Sequence, residues 1–172
     1  MKHETQLTSW IAGILARDLR ALRREIETFA DERELWRVPP GISNSAGTLA
    51  LHLAGNIQHY IGTVLGGTDY VRDRDAEFAQ RDVPRQELLR EIDAALVAVE
   101  RGMANVRDAD LAKPYPDPPR GLPVRTGDYL IHLIAHFTYH LGQVDYHRRL
   151  LTGQAGQIRA VAVNEIVTAG GG

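Results

Sequence analysis

Residues 130–147 read LIHLIAHFTYHLGQVDYH, and this stretch decides the fold. His132, His136 and His140 recur every fourth residue, with Gln143 and His147 extending the row, while Leu130, Ile134, Phe137, Leu141 and Val144 recur at three- and four-residue intervals. At 100° per residue both sets are stripes on one α-helix. The polar row spans an arc of about 80° and lies roughly 120° round from the apolar stripe. Such a helix has two distinct faces rather than one core side and one solvent side. Chance placement of seven histidines in 172 residues gives roughly 0.3 i,i+4 pairs but only about 0.01 consecutive triples. A lone buried His is more often a hydrogen-bonded core residue than a ligand, but the triple points to metal binding.

Working outward, Thr126 is placed to cap this last helix and Gly153 to end it. Before it, residues 113–125 carry Pro114, Pro116, Pro118, Pro119, Gly121 and Pro123, a stiffened loop that no helix or central strand accepts. The loop leads straight into the histidine helix; it reads first as a rigid surface loop, with a wall or lid at the site mouth as the alternative. Leu89, Ile92, Leu96, Val99, Met103 and Val106 step by three and four after Pro84, the seam of a third helix. A polar connector, residues 68–83, shows no clear period. A second helix runs through Leu49, Leu53, Ile57, Tyr60 and Val64, bounded by Asn44 or Ser45 as cap and by Gly66-Gly67. The first carries Ile11, Ile14, Leu15, Leu19, Leu22, Ile26 and Phe29 and ends before Pro39-Pro40. Four amphipathic helices without convincing strands predict an all-α four-helix bundle, a single domain over 1–172 with its core at about 8–152. The tail from Gln154 ends in three glycines, and disorder is expected there.

The composition narrows the chemistry. Twenty Lys and Arg against 22 Asp and Glu leave a net charge of −2, no field to recruit nucleic acid. No apolar run approaches the roughly 20 residues that span a bilayer, and Met1 to Trp10 lacks the apolar core of a signal peptide, so a cytoplasmic location is expected. The chain has no cysteine, which excludes disulfides, a thiolate nucleophile and sulfur-ligated zinc. Any metal site must rest on His and carboxylates.

Residues i and i+4 lie one turn apart and can share an ion, whereas His132 and His140 are about 12 Å apart along the axis. One adjacent pair of the row, joined by a histidine from another helix, would leave open positions for water or substrate. In the second helix, His52 and His59 lie about 100–120° from their own apolar stripe, in the same rotational sense. Phe137 follows His136, so the His-Glu-x-x-His protease pattern is absent, and no His has Glu three residues before it, so the carboxylate di-iron pattern is absent too. Asp128 and Asp145 point away from the row by helical phase. His3 reads as surface, and His59 and His147 as neighbours or bystanders. Arg148 and Arg149 read most simply as favourable charges at a helix C-terminus, with carboxylate binding as the alternative.

His52-Leu53-Ala54-Gly55-Asn56, together with His136-Phe137-Thr138-Tyr139-His140-Leu141-Gly142-Gln143, resembles the DinB/YfiT-like superfamily of metalloenzymes over roughly Thr8 to Thr152. The resemblance implies a four-helix bundle in which His52, His136 and His140 bind Zn²⁺ or Ni²⁺. Characterised relatives include thiol-dependent S-transferases and a mycothiol-dependent maleylpyruvate isomerase. What it implies here is a metal-dependent enzyme that activates a low-molecular-weight thiol or water against a small-molecule substrate, as S-transferase, isomerase or hydrolase. The alternative is a non-catalytic metal-binding or stress-response ligand-binding bundle. His132, Tyr129 and Gln143 are the candidates for assisting chemistry, and a homodimer is expected. With no cysteine in the chain, a thiol reaction needs its sulfur from the cosubstrate.

Overall fold

The apolar stripes become the core. The computed structural model describes residues 7–156 and 158–166. The helices are α1 (Leu7–Thr28), α2 (Ala46–Ile57), α3 (Arg74–Ala79), α4 (Arg85–Ala104) and α5 (Thr126–Thr152), with short 3-10 turns between them. Leu15, Leu19, Leu22 and Ile26 of α1 are buried with Leu49, Leu53 and Ile57 of α2, Ile92 and Val99 of α4, and Leu130, Phe137, Leu141 and Val144 of α5. α1 and α2 each pack on both α4 and α5. The result is an all-α bundle of four main helices, without strands among the described residues. The α5 stripe therefore packs inside the bundle, leaving the histidine row to a different direction.

Local signals act mostly as expected. Ser45, rather than Asn44, caps α2 by accepting from the Thr48 amide at 3.1 Å, and Gly153 ends α5 in the left-handed conformation at φ 66°. Thr126 does not cap α5: Arg125 occupies that position, and the Thr126 hydroxyl donates to the Lys113 carbonyl at 3.1 Å, pinning the Pro-rich loop. α2 continues into a π-helical turn, Gln58–Thr63, with the Gly66 amide reaching back to the Ile61 carbonyl at 2.9 Å. π turns interrupt helices mostly at functional sites. This one lies directly against α4, since a Cβ on Gly102 would stand 2.3 Å from the Ile61 carbonyl oxygen. Only glycine permits that approach.

Two readings of the sequence need correction. The connector 68–83 is not featureless: it contains α3, whose N-cap Asp73 accepts from the Ala76 amide at 2.9 Å. Six residues are too few to show a helical period. Arg148 is not a surface charge near a helix end but is fully buried. Its guanidinium donates to Glu25 of α1 at 2.5 Å, to Asp145 at 3.0 Å, and to the Gln154 and Gly156 carbonyls at 3.2 and 2.9 Å. It thus ties α5 to α1 and anchors the start of the tail. Arg24 carries the tail further along α1, donating to the Ile158 carbonyl at 2.9 Å and pairing with Glu165 at 3.0 Å. The expected disorder of the glycine end falls on residues 167–172, outside the described residues.

Burial, aided by neighbouring Asp145 and opposed by Arg148, pushes the Glu25 carboxyl up to about 7. Since the folded state then binds a proton more tightly than the unfolded one, this group favours folding below its unfolded pKa of about 4.5 and loses that contribution as pH rises through about 7. Chemical denaturation of wild type and Glu25→Gln at pH 4 to 8 should show the wild type losing stability relative to the variant as pH rises across that window. A pH-independent difference would contradict the assignment.

Candidate metal centre

Helical phase brings the α5 row to face α2, where His52 projects from the middle of the helix. His52 Nε2 and His136 Nε2 stand 3.2 Å apart. One ring nitrogen from each of His52, His136 and His140 lies within 4.8 Å of the others. A tetrahedral ion with metal–nitrogen bonds of about 2.0–2.1 Å separates two ligand nitrogens by roughly 3.3–3.4 Å. The His52–His136 spacing already matches that edge.

The hydrogen bonds on the far sides of the rings fit the same purpose. Glu77, on α3, is buried and meets His52 Nδ1 at 3.0 Å. Burial pushes its carboxyl up, but hydrogen bonds from Arg72 and His52 outweigh this and hold it below its ordinary value. An ionised carboxylate only accepts, so the His52 proton sits on Nδ1 and Nε2 offers its lone pair to the cluster. Arg72 holds the carboxylate from behind, donating from Nε and Nη2 at 2.7 and 2.9 Å. On α5, His140 Nδ1 donates to Gln143 Oε1 at 2.7 Å, which leaves its Nε2 as the donor atom. Burial, reinforced by the surrounding imidazoles, lowers His136 to about 4, and burial lowers His140 as well. His136 and His140 are therefore neutral at pH 7, the form that binds metal.

Gly55 matters to this arrangement. A Cβ there would lie 2.4 Å from Glu77 Oε1, so the glycine three residues after His52 is the space in which the carboxylate sits. The sequence reading missed Glu77 and Arg72. The available signal was Asp73, a helix cap inside the connector, followed four residues later by Glu.

The other candidates separate cleanly. His132 is exposed, stacked at 6.0 Å on His136 and at 5.7 Å on Tyr129, outside the cluster. Tyr129 is buried, packed against Tyr60 and Tyr115 at 5.1 and 4.7 Å, and burial raises its hydroxyl far above the usual range, so the phenol keeps its proton. Tyr115 comes from the Pro-rich loop and donates to the Tyr60 carbonyl. That loop thus buttresses the tyrosine cluster beside the row. His59 lies 3.8 Å from Asp117 of the same loop and takes no part in the cluster. His147 is buried, with Nε2 at 2.8 Å from the Arg37 carbonyl. Asp128 pairs with Arg125 and Asp145 with Arg148, both away from the centre. His3 lies outside the described residues.

A helical bundle with three converging imidazoles, one of them backed by a buried carboxylate, is the class these observations define. The family model for mycothiol-S-transferase matches residues 11–153, and the chain belongs to that family. The fold is also that of a DinB-like protein from Bacillus cereus, whose crystal structure superposes with a TM-score of 0.60 at 19% identity, covering 82% of this chain and 90% of that one. No curated protein matches the chain.

The geometry makes Glu77 the anchor of His52. Glu77→Gln, which keeps the shape but removes the charge, should weaken zinc binding about 10–100-fold in a competition titration with a chromophoric chelator. Gly55→Ala should weaken it in the same direction by displacing the carboxylate. Unchanged affinity in both would show that His52 needs no such support.

Proposed function

We propose that the chain is a metal-dependent S-transferase: it joins the sulfur of a low-molecular-weight thiol, mycothiol by its family, to a small-molecule electrophile at a centre formed by His52, His136 and His140. The observation that carries this reading is the convergence of one nitrogen from each of the three imidazoles within 4.8 Å, in a chain that belongs to the mycothiol-S-transferase family. His52, His136 and His140 would hold a Zn²⁺ or Ni²⁺ ion, and an ion held by three neutral imidazoles would keep its full charge and supply the means to lower the pKa of a bound thiol. The chain has no cysteine, so the nucleophilic sulfur belongs to the cosubstrate.

The protein's own residues have separate tasks. Glu77 and Arg72 fix the tautomer and ring plane of His52, and Gln143 does the same for His140. His132 is the exposed imidazole beside the cluster, and we assign to it the removal of the thiol proton to solvent. Tyr129, stacked beneath it and held by Tyr60 and Tyr115, keeps that ring in place without ionising itself. No helix is long and apolar enough to cross a membrane among the described residues.

Substitution with Co²⁺ makes the centre visible. Anaerobic titration of the Co²⁺ protein with mycothiol should produce a sulfur-to-metal charge-transfer band in the near ultraviolet, with one cobalt per chain, and His136→Ala should abolish both. A wild-type protein that holds cobalt but shows no spectral change with mycothiol or other thiols would overturn the S-transferase reading in favour of a metal-binding bundle without thiol chemistry.

A further inference from the structure

Beyond His140 the α5 row runs into a cavity of about 370 Å³ between the last turns of α5 and the segment that leads into α2. That size lies at the low end of small-molecule pockets. Its walls are mixed: Ile42, Leu49, Tyr146 and Leu150 make the larger, apolar part, and Ser43 and Asn44 add neutral polar groups at one side. Three of these, Ile42, Tyr146 and Leu150, are 37%, 74% and 62% exposed, so the core does not account for them. Gln143 and His147 supply polar groups, and no Asp, Glu, Lys or Arg lines the space.

Gln143 belongs to both places. Its Oε1 accepts the hydrogen bond from His140 Nδ1, which leaves its amide nitrogen to donate at the cavity wall. His147 lies about 10 Å along the helix from His140, a span that one organic molecule of ten or so heavy atoms bridges. The His147 ring adds no charge, since burial lowers its pKa. Its Nε2–H is committed to the Arg37 carbonyl, and its shielded Nδ1 has no partner among the described residues, an acceptor the fold leaves unused.

We propose that this cavity is the subsite for the second substrate, and that it selects an uncharged electrophile with an apolar, aryl or alkyl body, aligned toward His140 by Gln143. The inference rests on the S-transferase reading for the word electrophile, while the binding selectivity stands on the cavity alone. A largely apolar wall with neutral polar groups but no Lys or Arg offers a carboxylate no counter-charge for the hydration it would lose. Mycothiol, a polar cosubstrate, is then left to approach from the open side near His132.

The probes are 2-naphthol and its charged counterpart 2-naphthoate, titrated into the zinc-loaded and zinc-free protein and followed by naphthol fluorescence and by NMR shifts of α5 amides. Naphthol should bind in both forms with shifts centred on residues 143–150, and naphthoate at least about tenfold more weakly. Tyr146→Ala combined with Leu150→Ala, at exposed positions that leave the core intact, should cut naphthol affinity about tenfold by removing apolar contact area, while zinc affinity stays unchanged. Equal binding of the two probes, or no loss in the double variant, overturns the proposal. A wild type that sediments as a dimer, becomes monomeric in the double variant and binds no naphthol also overturns it, because a second copy then covers this face. If zinc fails to bind yet naphthol behaves as described, the metal reading fails and the pocket's selectivity stands. If zinc and thiol bind but naphthol does not, only the pocket falls.

Discussion

The hydrogen bond from His52 Nδ1 to Glu77 is the interaction on which the centre depends. At 3.0 Å, with Arg72 behind it, the carboxylate settles which nitrogen of His52 carries the proton and so which one faces His136. Without it, either of the two Nε2 atoms, 3.2 Å apart, could be the donor; with it, His52 Nε2 can only accept. His52 thus presents a lone pair to a space that His136 and His140 also face, an acceptor that a His136 N–H or a cation would satisfy. Much nearby structure serves this one contact: α3 exists as little more than a bracket for Glu77, and Gly55 leaves room for it.

α5 carries the second constraint, since it must fill the core on one face and form the site on another. The cost of this arrangement shows at its C-terminal half, where Arg148 is buried with Glu25, Asp145 and two tail carbonyls around it. A guanidinium without those partners would be strongly destabilising there, whereas the satisfied cluster fixes the rotation of α5 against α1. That rotation sets the direction in which His136 and His140 point, and the register of the helix cannot slip without unpairing a buried charge. Stability and the geometry of the imidazole cluster are coupled through a residue that touches none of the three histidines.

Much of this was legible in the chain itself. Four apolar stripes and the i, i+4, i+8 histidines define the bundle and its polar face, because period and phase are local properties of a helix. Phase alone left His52 and His59 alike; axial distance favoured His52, and the resemblance to a known family motif then implied it as a ligand. Glu77 was not legible: it sits 25 residues from His52 on a helix of six residues, too short for any periodicity. Arg148 was misjudged for a related reason. A charged residue near a helix end has a sufficient local explanation, and its partner Glu25 lies 123 residues away. Contacts across the fold, not patterns along the chain, decide both cases.

Zinc K-edge absorption and anomalous diffraction from zinc-loaded crystals test the central claim most directly. The account predicts one ion per chain with three imidazole nitrogens at about 2.0–2.1 Å from His52, His136 and His140, and a fourth, non-histidine position open to exchange. An ion bound instead by His132, or by carboxylates with His52 turned away from Glu77, would contradict it.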